Sequence, residues 1–233
     1  MTLQKVDILL TSYNRYKYVS QAIESVLNQT YDNFELFILD DNSNKETTDA
    51  ISKYLDNPKV KLYNSLVSDK DRPHQGCRYA LNINYGINNS DGEFITYLTD
   101  DDFFYPHRLQ SMVEYLNVHP EVSVVYGQQQ KINVDSAGNE VNADVRAPNS
   151  ILNSAAHNID HNSVLHRRNI IEKTGLWPTH DWRCGDAAFW NQVNNAGYLF
   201  YPIKEITDAK RYHPNTISAK LDRGANILDG NTQ

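Results

Sequence analysis

Three consecutive carboxylates, Asp100, Asp101 and Asp102, stand one residue after a strongly apolar segment, residues 93–98. This pattern places acidic side chains at the carboxyl end of a buried strand, where open α/β sheets bind their ligands. Adjacent negative charges repel one another, so the row favours a positive partner. A divalent cation that carries substrate phosphates meets that requirement. A solvated acidic turn is the competing interpretation, because acidic loops are common.

A second acidic pair, Asp40 and Asp41, follows another apolar run, residues 34–39. Crossovers between parallel strands are right-handed, so both strand ends should open on the same edge of the sheet. We therefore expect the two acidic groups to share one site. Asp186 opens a helical pattern over residues 187–195 and, taken alone, is typical of an ordinary N-cap.

The elements that must position these groups alternate along the first hundred residues. Strands are predicted at residues 6–11, 34–39, 60–63 and 93–98, and helices at residues 18–27 and 77–87. Ser43 and Glu46 have the spacing of a capping box, which predicts that a further helix starts there. This alternation is typical of βαβ units around a mostly parallel sheet with flanking helices.

The second half of the chain has fewer crossovers and more turns. Helices are predicted at residues 106–116 and within 185–197, and strands at residues 122–134, 162–166, 199–201 and 206–212. We interpret this half as a mixed region that covers the site. The polar segment 219–233 is expected to be a loosely held C-terminal tail.

Composition limits the kind of protein. The 233 residues are 40% hydrophobic, which is ample for a core and fits one large domain. The net charge of −7 argues against non-specific nucleic-acid binding, which needs a basic surface. Cys77 and Cys184 lie far apart without ligand spacing, which favours a reducing cytoplasm. No segment has the pattern of a membrane span or signal peptide, so we expect a cytoplasmic protein, with peripheral membrane contact left open.

Five segments resemble, in the right order, family 2 glycosyltransferases of the GT-A fold. They are Leu-Thr-Ser-Tyr-Asn-Arg at 10–15, Phe-Glu-Leu-Phe-Ile-Leu-Asp-Asp-Asn-Ser at 34–43, Tyr-Leu-Thr-Asp-Asp-Asp at 97–102, Gly-Asp at 185–186 and Tyr-His-Pro at 212–214. The resemblance implies a Rossmann-like, mostly parallel central sheet with a mixed C-terminal acceptor-side region. Residues 1–102 would form the nucleotide-sugar-binding half, and residues 103–218 the acceptor-side half of the same domain.

The resemblance also implies a binding site for a nucleotide-diphosphate sugar. Thr11, Tyr13 and Arg15 would surround the base, and Asp100 would contact the donor ribose. Asp41 would accept a hydrogen bond from the base, which suits the imide N–H of uracil or thymine, although guanine also offers an N–H. The implied donor is therefore a UDP- or dTDP-sugar.

A divalent metal, manganese or magnesium, would bridge the phosphates and be held by Asp101. The family pattern is Asp-x-Asp, whereas Thr99 stands two residues before Asp101. The resemblance therefore leaves open, by one position, which carboxylate of the row binds the metal. Asp102 would bind metal or, equally, cap the following turn. His213 would complete the metal site or touch the diphosphate, and its imidazole suits manganese better than magnesium. A structural role is the alternative for His213.

The chemistry explains why a base and a metal are needed. Negative charge grows on the leaving diphosphate as an acceptor hydroxyl attacks the anomeric carbon, and a divalent metal stabilises that charge. The attacking hydroxyl needs a general base. By resemblance Asp186 is that base, and one base opposite the leaving group gives a single displacement with inversion.

Two further pairs of residues are weaker candidates. Arg72 and Arg78 flank the polar loop 65–76, where they would clamp phosphate. A solvated surface charge is the alternative for Arg78. Asp160 and His161 resemble a family segment near the acceptor side, with a buried hydrogen-bonded pair as the competing interpretation.

The sequence thus predicts an inverting, metal-dependent glycosyltransferase that acts on a carbohydrate or glycoconjugate acceptor in polysaccharide or glycoconjugate synthesis. A sugar-nucleotide nucleotidyltransferase has a similar core but needs a glycine-rich phosphate loop after the first strand, and residues 11–15 contain no glycine. A non-catalytic nucleotide-sugar-binding module is a third hypothesis. The presence of Asp100, Asp101 and Asp186 argues against it, whereas Thr99 keeps it open.

Overall fold

The computed structural model describes residues 3–68, 70–71, 76–135, 137–146, 148–180 and 185–213. Within these ranges the strands are β1 (Val6–Ser12), β2 (Phe34–Asp40), β3 (Val60–Asn64), β4 (Phe94–Thr99), β5 (Phe103–Phe104), β6 (Val124–Val134), β7 (Glu140–Arg146), β8 (Val164–Arg167) and β9 (Phe200–Tyr212). The helices are α1 (Val19–Leu27), α2 (Lys45–Ser52), α3 (Arg78–Asn88), α4 (Arg108–Val118), α5 (Ile170–Thr174) and α6 (Gly185–Asn195), with a 3₁₀ turn at His161–Ser163. None of the helices described combines the length and the apolar character that crossing a membrane requires.

The first four strands are parallel and lie in the order β3-β2-β1-β4. Their register aligns Ser12 of β1 with Asp40 of β2, and Thr11 of β1 with Thr99 of β4. The acidic residues that follow β2 and β4 are therefore neighbours at the same edge. This part of the fold follows the predicted strand–helix alternation, because each buried strand is a nearly continuous apolar run.

The second half extends the same sheet with mixed strand directions. β8 pairs antiparallel with β4 and with β6, and β6 runs parallel to β9. β5 and β7 are antiparallel to β9 and β6, respectively. One sheet therefore passes through both halves, and the predicted α/β class with a mixed C-terminal region is confirmed.

Helices cover both faces of the sheet. On one face α1 and α4 pack Ile23, Val26, Met112 and Leu116 into a core that includes Leu10 of β1. On the other face α3 and α6 pack a second core, whose members include Leu9, Ile83, Phe189, Trp190 and Val193. Leu9 and Leu10 lie on opposite faces because side chains alternate along a strand.

A buried ion pair joins the elements of the second half. Arg108 of α4 lies 3.3 Å from Asp208 of β9 and donates to Thr96 Oγ1 at 2.8 Å and to the carbonyl oxygen of Val164 at 3.1 Å. Arg108 and Asp208 are both fully buried. Burial lowers the pKa of Arg108 to about 10 and raises that of Asp208. This pair therefore fixes α4, β4, β8 and β9 to one another from inside the core.

Some local predictions were wrong. Asn44, not Ser43, caps α2, because Asn44 Oδ1 accepts the backbone N–H of Thr47 at 3.1 Å. Ser43 Oγ instead accepts the N–H of Asn14 at 3.0 Å. The two strands predicted at residues 199–201 and 206–212 are a single strand, β9. β7 was not predicted, although Val141, Ala143 and Val145 alternate with polar residues. All of its residues except the last are exposed, so neither face of this strand belongs to the core.

Candidate functional site

The three carboxylates of the acidic row point to three different sets of partners. Asp100 turns back to β1, where its Oδ2 accepts Ser12 Oγ at 2.9 Å and the N–H of Tyr13 at 2.8 Å. The Asp100 N–H donates to the carbonyl oxygen of Thr11 at 3.1 Å. Burial and the neighbouring charge of Asp101 raise the pKa of Asp100 to about 8. Thr11 and Tyr13 thus hold Asp100 chiefly through the backbone.

Asp101 faces positively charged or protonatable groups. Its Oδ2 lies 3.1 Å from His213 Nε2 and 3.5 Å from Arg15 Nε. Burial alone would raise its pKa, but the hydrogen bond from His213 and the charge of Arg15 outweigh burial and lower it. The ring of Tyr18 stacks on His213 with centroids 5.2 Å apart. Asp101 is therefore the ionised member of the row, next to an oriented imidazole.

Asp102 is enclosed by protein donors. Its Oδ2 accepts Thr99 Oγ1 at 2.8 Å and Asn162 Nδ2 at 2.5 Å, and its Oδ1 accepts the N–H of Arg211 at 2.7 Å. The side chain is buried, and burial with the charge of Asp101 raises its pKa well above the usual range. Asp102 ties the end of β4 to the 3₁₀ turn and to β9.

Asp41 forms the other wall of this edge. Arg78 Nη2 donates to its Oδ1 at 2.5 Å, Ser65 Oγ at 2.8 Å and Asn82 Nδ2 at 3.2 Å. The guanidinium of Arg78 thus lies on Asp41 and is largely buried, so it is not a solvated surface charge. Arg72, the other predicted phosphate-binding residue, lies outside the described residues.

Asp101 and His213 offer one carboxylate oxygen and one imidazole nitrogen in contact. This donor set suits manganese, which accepts both types of ligand. Asp100 and Asp102 direct their oxygens into hydrogen bonds within the protein, so the row does not form one three-carboxylate cluster. The predicted residues Arg15, Asp101 and His213 are therefore brought together.

Asp186 lies in the first turn of α6, at a second group of polar residues. Its backbone N–H donates to Tyr79 Oη at 3.0 Å, and its Oδ1 accepts the N–H of Ala187 at 2.8 Å. A Cβ at Gly185 would overlap the Tyr79 hydroxyl. Glycine is therefore required before Asp186 for α6 to approach α3 this closely.

Asp160 and His161 lie beside Asp186. His161 Nδ1 is 3.6 Å from Asp186 Oδ2 and 3.8 Å from Asp160 Oδ1, and Lys210 of β9 pairs with Asp160 Oδ2. Burial would raise the pKa of Asp160, but Lys210 and His161 outweigh burial and lower it. Asp160, His161 and Asp186 lie close enough together to share a cation. The second group thus contains the predicted base and the segment expected near the acceptor.

Sequence reasoning missed Tyr79, Lys210 and Asn162. Lys210 and Asn162 donate to the carboxylates of Asp160 and Asp102, and Tyr79 accepts the backbone N–H of Asp186. None of the three lies in a motif that spacing could connect to these partners. A signal existed for Lys210, because a lysine between the buried residues Ala209 and Arg211 needs a carboxylate partner.

Comparison with known proteins gives the family and the fold of the chain. The model of the family described as "Glycosyl transferase family 2" matches residues 7–175. Protein CgeD of Bacillus subtilis is 40% identical over 235 residues, which cover 97% of this chain and 55% of that protein. An uncharacterized glycosyltransferase of Rickettsia felis is 34% identical over 125 residues, 52% of this chain and 19% of its own. The chain therefore spans about half of CgeD and less of the rickettsial protein.

Solved structures show the same fold at low identity. Staphylococcus aureus TarS 1–349 in complex with UDP-GlcNAc has a TM-score of 0.72 and 15% identity, over 90% of this chain and 59% of that one. The mannosyltransferase PcManGT of Pyrobaculum calidifontis, in complex with GDP-Man and Mn²⁺, has a TM-score of 0.63 and 14% identity, over 90% and 57%. The fold is therefore that of GT-A glycosyltransferases, and the chain belongs to glycosyl transferase family 2.

Proposed function

We propose that the chain carries an inverting glycosyltransferase active site that takes a UDP- or dTDP-sugar and a carbohydrate or glycoconjugate acceptor. The contact of Asp101 with His213 and Arg15 carries this proposal, because it gathers metal-binding and cationic groups where two strands of the parallel sheet end. We further propose that this activity serves polysaccharide or glycoconjugate synthesis in the cytoplasm.

On the donor side, Asp101 and His213 would hold a manganese or magnesium ion. That ion would neutralise negative charge on the departing diphosphate. Arg15 lies 3.5 Å from Asp101 and would add a positive charge beside the diphosphate of the donor. Asp102 is proposed to act indirectly, since its hydrogen bonds to Asn162 and Arg211 fix the loop that carries Asp101.

The nucleoside part of the donor would lie along the ends of β1 and β2. Asp41 is held by Arg78 and can accept the N–H of a uracil or thymine ring. Thr11 and Tyr13 would enclose the base, and Asp100 would contact the ribose from its place beside β1. Arg72 remains a proposed phosphate-binding residue.

Asp186 would take the proton of the acceptor hydroxyl. As that O–H bond breaks, the oxygen forms a bond to the anomeric carbon, and the bond from that carbon to the diphosphate breaks with its electron pair on the phosphate. One carboxylate acting opposite the leaving group gives inversion. Asp186 Oδ1 is occupied by the Ala187 N–H, so Oδ2 is the oxygen proposed to receive the proton.

Calorimetric titration with UDP, dTDP, GDP, ADP and CDP, with and without Mn²⁺, tests the donor side. We expect UDP or dTDP to bind only with metal, and Asp101→Asn to abolish this metal-dependent binding. Asp91→Asn is the matched control, because Asp91 is a carboxylate paired with Lys5 before β4, at the opposite edge of the sheet. Absence of nucleotide binding under every metal condition would contradict the proposal.

A further inference from the structure

His161 has an environment that the proposed reaction does not yet use. The residue is buried, and neither ring nitrogen makes a hydrogen bond to any residue that the structure describes. A neutral imidazole would lose its hydration there without compensation. A protonated imidazole is instead stabilised by the two carboxylates at 3.6 and 3.8 Å from Nδ1.

The charged and titratable groups around this ring come from five elements. They are Asp160 before the 3₁₀ turn, Asp186 of α6, Lys210 of β9, Tyr79 of α3 and Tyr97 of β4. Lys210 pairs with Oδ2 of Asp160, whereas His161 lies near Oδ1 of the same carboxylate. Among the described residues, no lysine is paired with Asp186. Burial lowers the pKa of His161, but Asp186 and Asp160 outweigh burial and raise it.

Aromatic side chains fix the position of the imidazole. Tyr79 stacks on it with centroids 5.9 Å apart and planes inclined by 22°, and Trp177 meets it edge-on at 6.0 Å. The same Tyr79 accepts the backbone N–H of Asp186. The imidazole of His161 and the backbone of Asp186 are therefore both held against one tyrosine of α3.

We propose that His161 is a positioning residue for Asp186, whose protonated ring keeps the carboxylate ionised and turned toward the acceptor hydroxyl. The inference rests on the proposed function, in which Asp186 is the base. His161 keeps its proton throughout, and the acceptor proton goes to Asp186.

A cation bound by Asp160, His161 and Asp186 is the competing arrangement. Lys210 already occupies one oxygen of Asp160. This contact favours the positioning role, and a metal bound to a neutral His161 is kept as an outcome of the test.

Proton NMR titration of the histidine ring protons in the whole chain tests the charge directly. We expect one resonance, absent from His161→Asn, to titrate above pH 6.5 and to move to lower pH in Asp186→Asn. A midpoint at or below 6.5, or an unchanged midpoint in Asp186→Asn, would overturn the proposal. Loss of this resonance on adding micromolar Zn²⁺, reversed by EDTA, would also overturn it and assign a metal site.

The pH dependence of UDP-GlcNAc hydrolysis, with water as the acceptor, tests the effect on the base. His161→Asn keeps an N–H near the position of Nδ1 but removes the charge, so the acid limb of kcat should move up by about one pH unit. A lower kcat with an unmoved acid limb would show a merely structural role and overturn the proposal.

His119→Asn is the matched control for both measurements, because His119 Nδ1 lies 3.3 Å from Glu121 on the surface. It should leave the acid limb and the His161 resonance unchanged. If the wild-type protein hydrolyses no UDP-sugar, the proposed function fails, while the NMR titration still decides whether His161 is charged through Asp186.

Discussion

In the half of the sheet formed by β1–β4, the parallel register brings Asp41, Asp100 and Asp101 to one edge, whereas in the half formed by β5–β9 the functional groups come from segments far apart in the chain. Asp100 after β4 hydrogen-bonds to Ser12 of β1 in the next position of the sheet. Lys210 and Asp160 are 50 residues apart and meet through no strand pairing of their own.

This difference shows that the two halves depend on different forces. Parallel pairing aligns the strand ends that carry Asp41, Asp100 and Asp101, because the register fixes which residues share the edge. The acceptor side depends on buried polar contacts, in which Gln129 and Ser163 also donate to Asp208 at 2.7 and 3.0 Å. We therefore expect substitutions to affect the two halves differently.

The largest effect is expected from Asp186→Asn, which removes the base and leaves the donor side intact. Transfer should fall by ~10²–10⁴-fold, the usual contribution of a general base. Affinity for UDP, measured by calorimetry, should stay within about twofold, because the substitution leaves the donor side intact. A twofold change in affinity is only a small free-energy difference. Glu46→Gln is the control, because Glu46 also lies in the first turn of a helix. Transfer at the wild-type rate would remove Asp186 from the mechanism.

Arg108→Met tests whether the buried ion pair holds the acceptor half. It leaves Asp208 buried without its cation, so the free energy of unfolding should fall by ~3–5 kcal/mol. Urea denaturation measures this loss. The exposed pair of Lys45 with Asp49 provides the control, and Lys45→Met should change stability by no more than ~0.5 kcal/mol. Comparable losses in the two variants would contradict the contrast between the halves.

His166 should make the fold sensitive to acid. Its Nδ1–H donates to the Arg167 carbonyl at 2.8 Å, so Nε2 accepts Tyr97 Oη at 2.7 Å and the ring is neutral. Burial lowers its pKa to about 4 from the usual 6.5. The unfolded chain therefore takes up the proton first, and stability should fall as pH decreases from 6.5 to 4.

His166→Gln tests this pH dependence, because glutamine stays neutral throughout the range. Urea denaturation at pH 7, 5.5 and 4.5 should show the stability advantage of the wild type over the variant shrinking as pH falls. An advantage that is constant across this range would mean that His166 does not titrate between the two states.

The smallest effect is expected in the donor half, at the start of α2. Asn44→Ala should reduce the free energy of unfolding by ~1 kcal/mol, since it removes the N-cap hydrogen bond to Thr47. Ser43→Ala should cost less if Asn44 alone is the cap. Thermal unfolding of the two variants distinguishes them, and a larger loss for Ser43→Ala would restore the capping box predicted from sequence.

The same contrast explains what could be predicted from the sequence. The positions of Asp41 and Asp100 were predictable, because apolar runs mark the buried strands and parallel strands end together. The contacts of His161 with Asp186 and of Lys210 with Asp160 were not predictable from spacing, because they depend on how α6 and β9 pack over the sheet. Resemblance to the family supplied Asp186, and it supplied His213 together with Asp101 as members of one metal site, but it did not supply the contact of His161 with Asp186.

β9 limits how far the two halves can be exchanged independently. Within six residues it supplies Asp208 to the core and Lys210 to Asp160, and it is followed by His213 at Asp101. Side chains alternate along a strand, so deleting one residue before Asp208 would reverse the faces of all that follow. A recombination crossover intended to change the acceptor should therefore lie before Phe200 or retain β9 whole, since a break inside it would disable both sites at once.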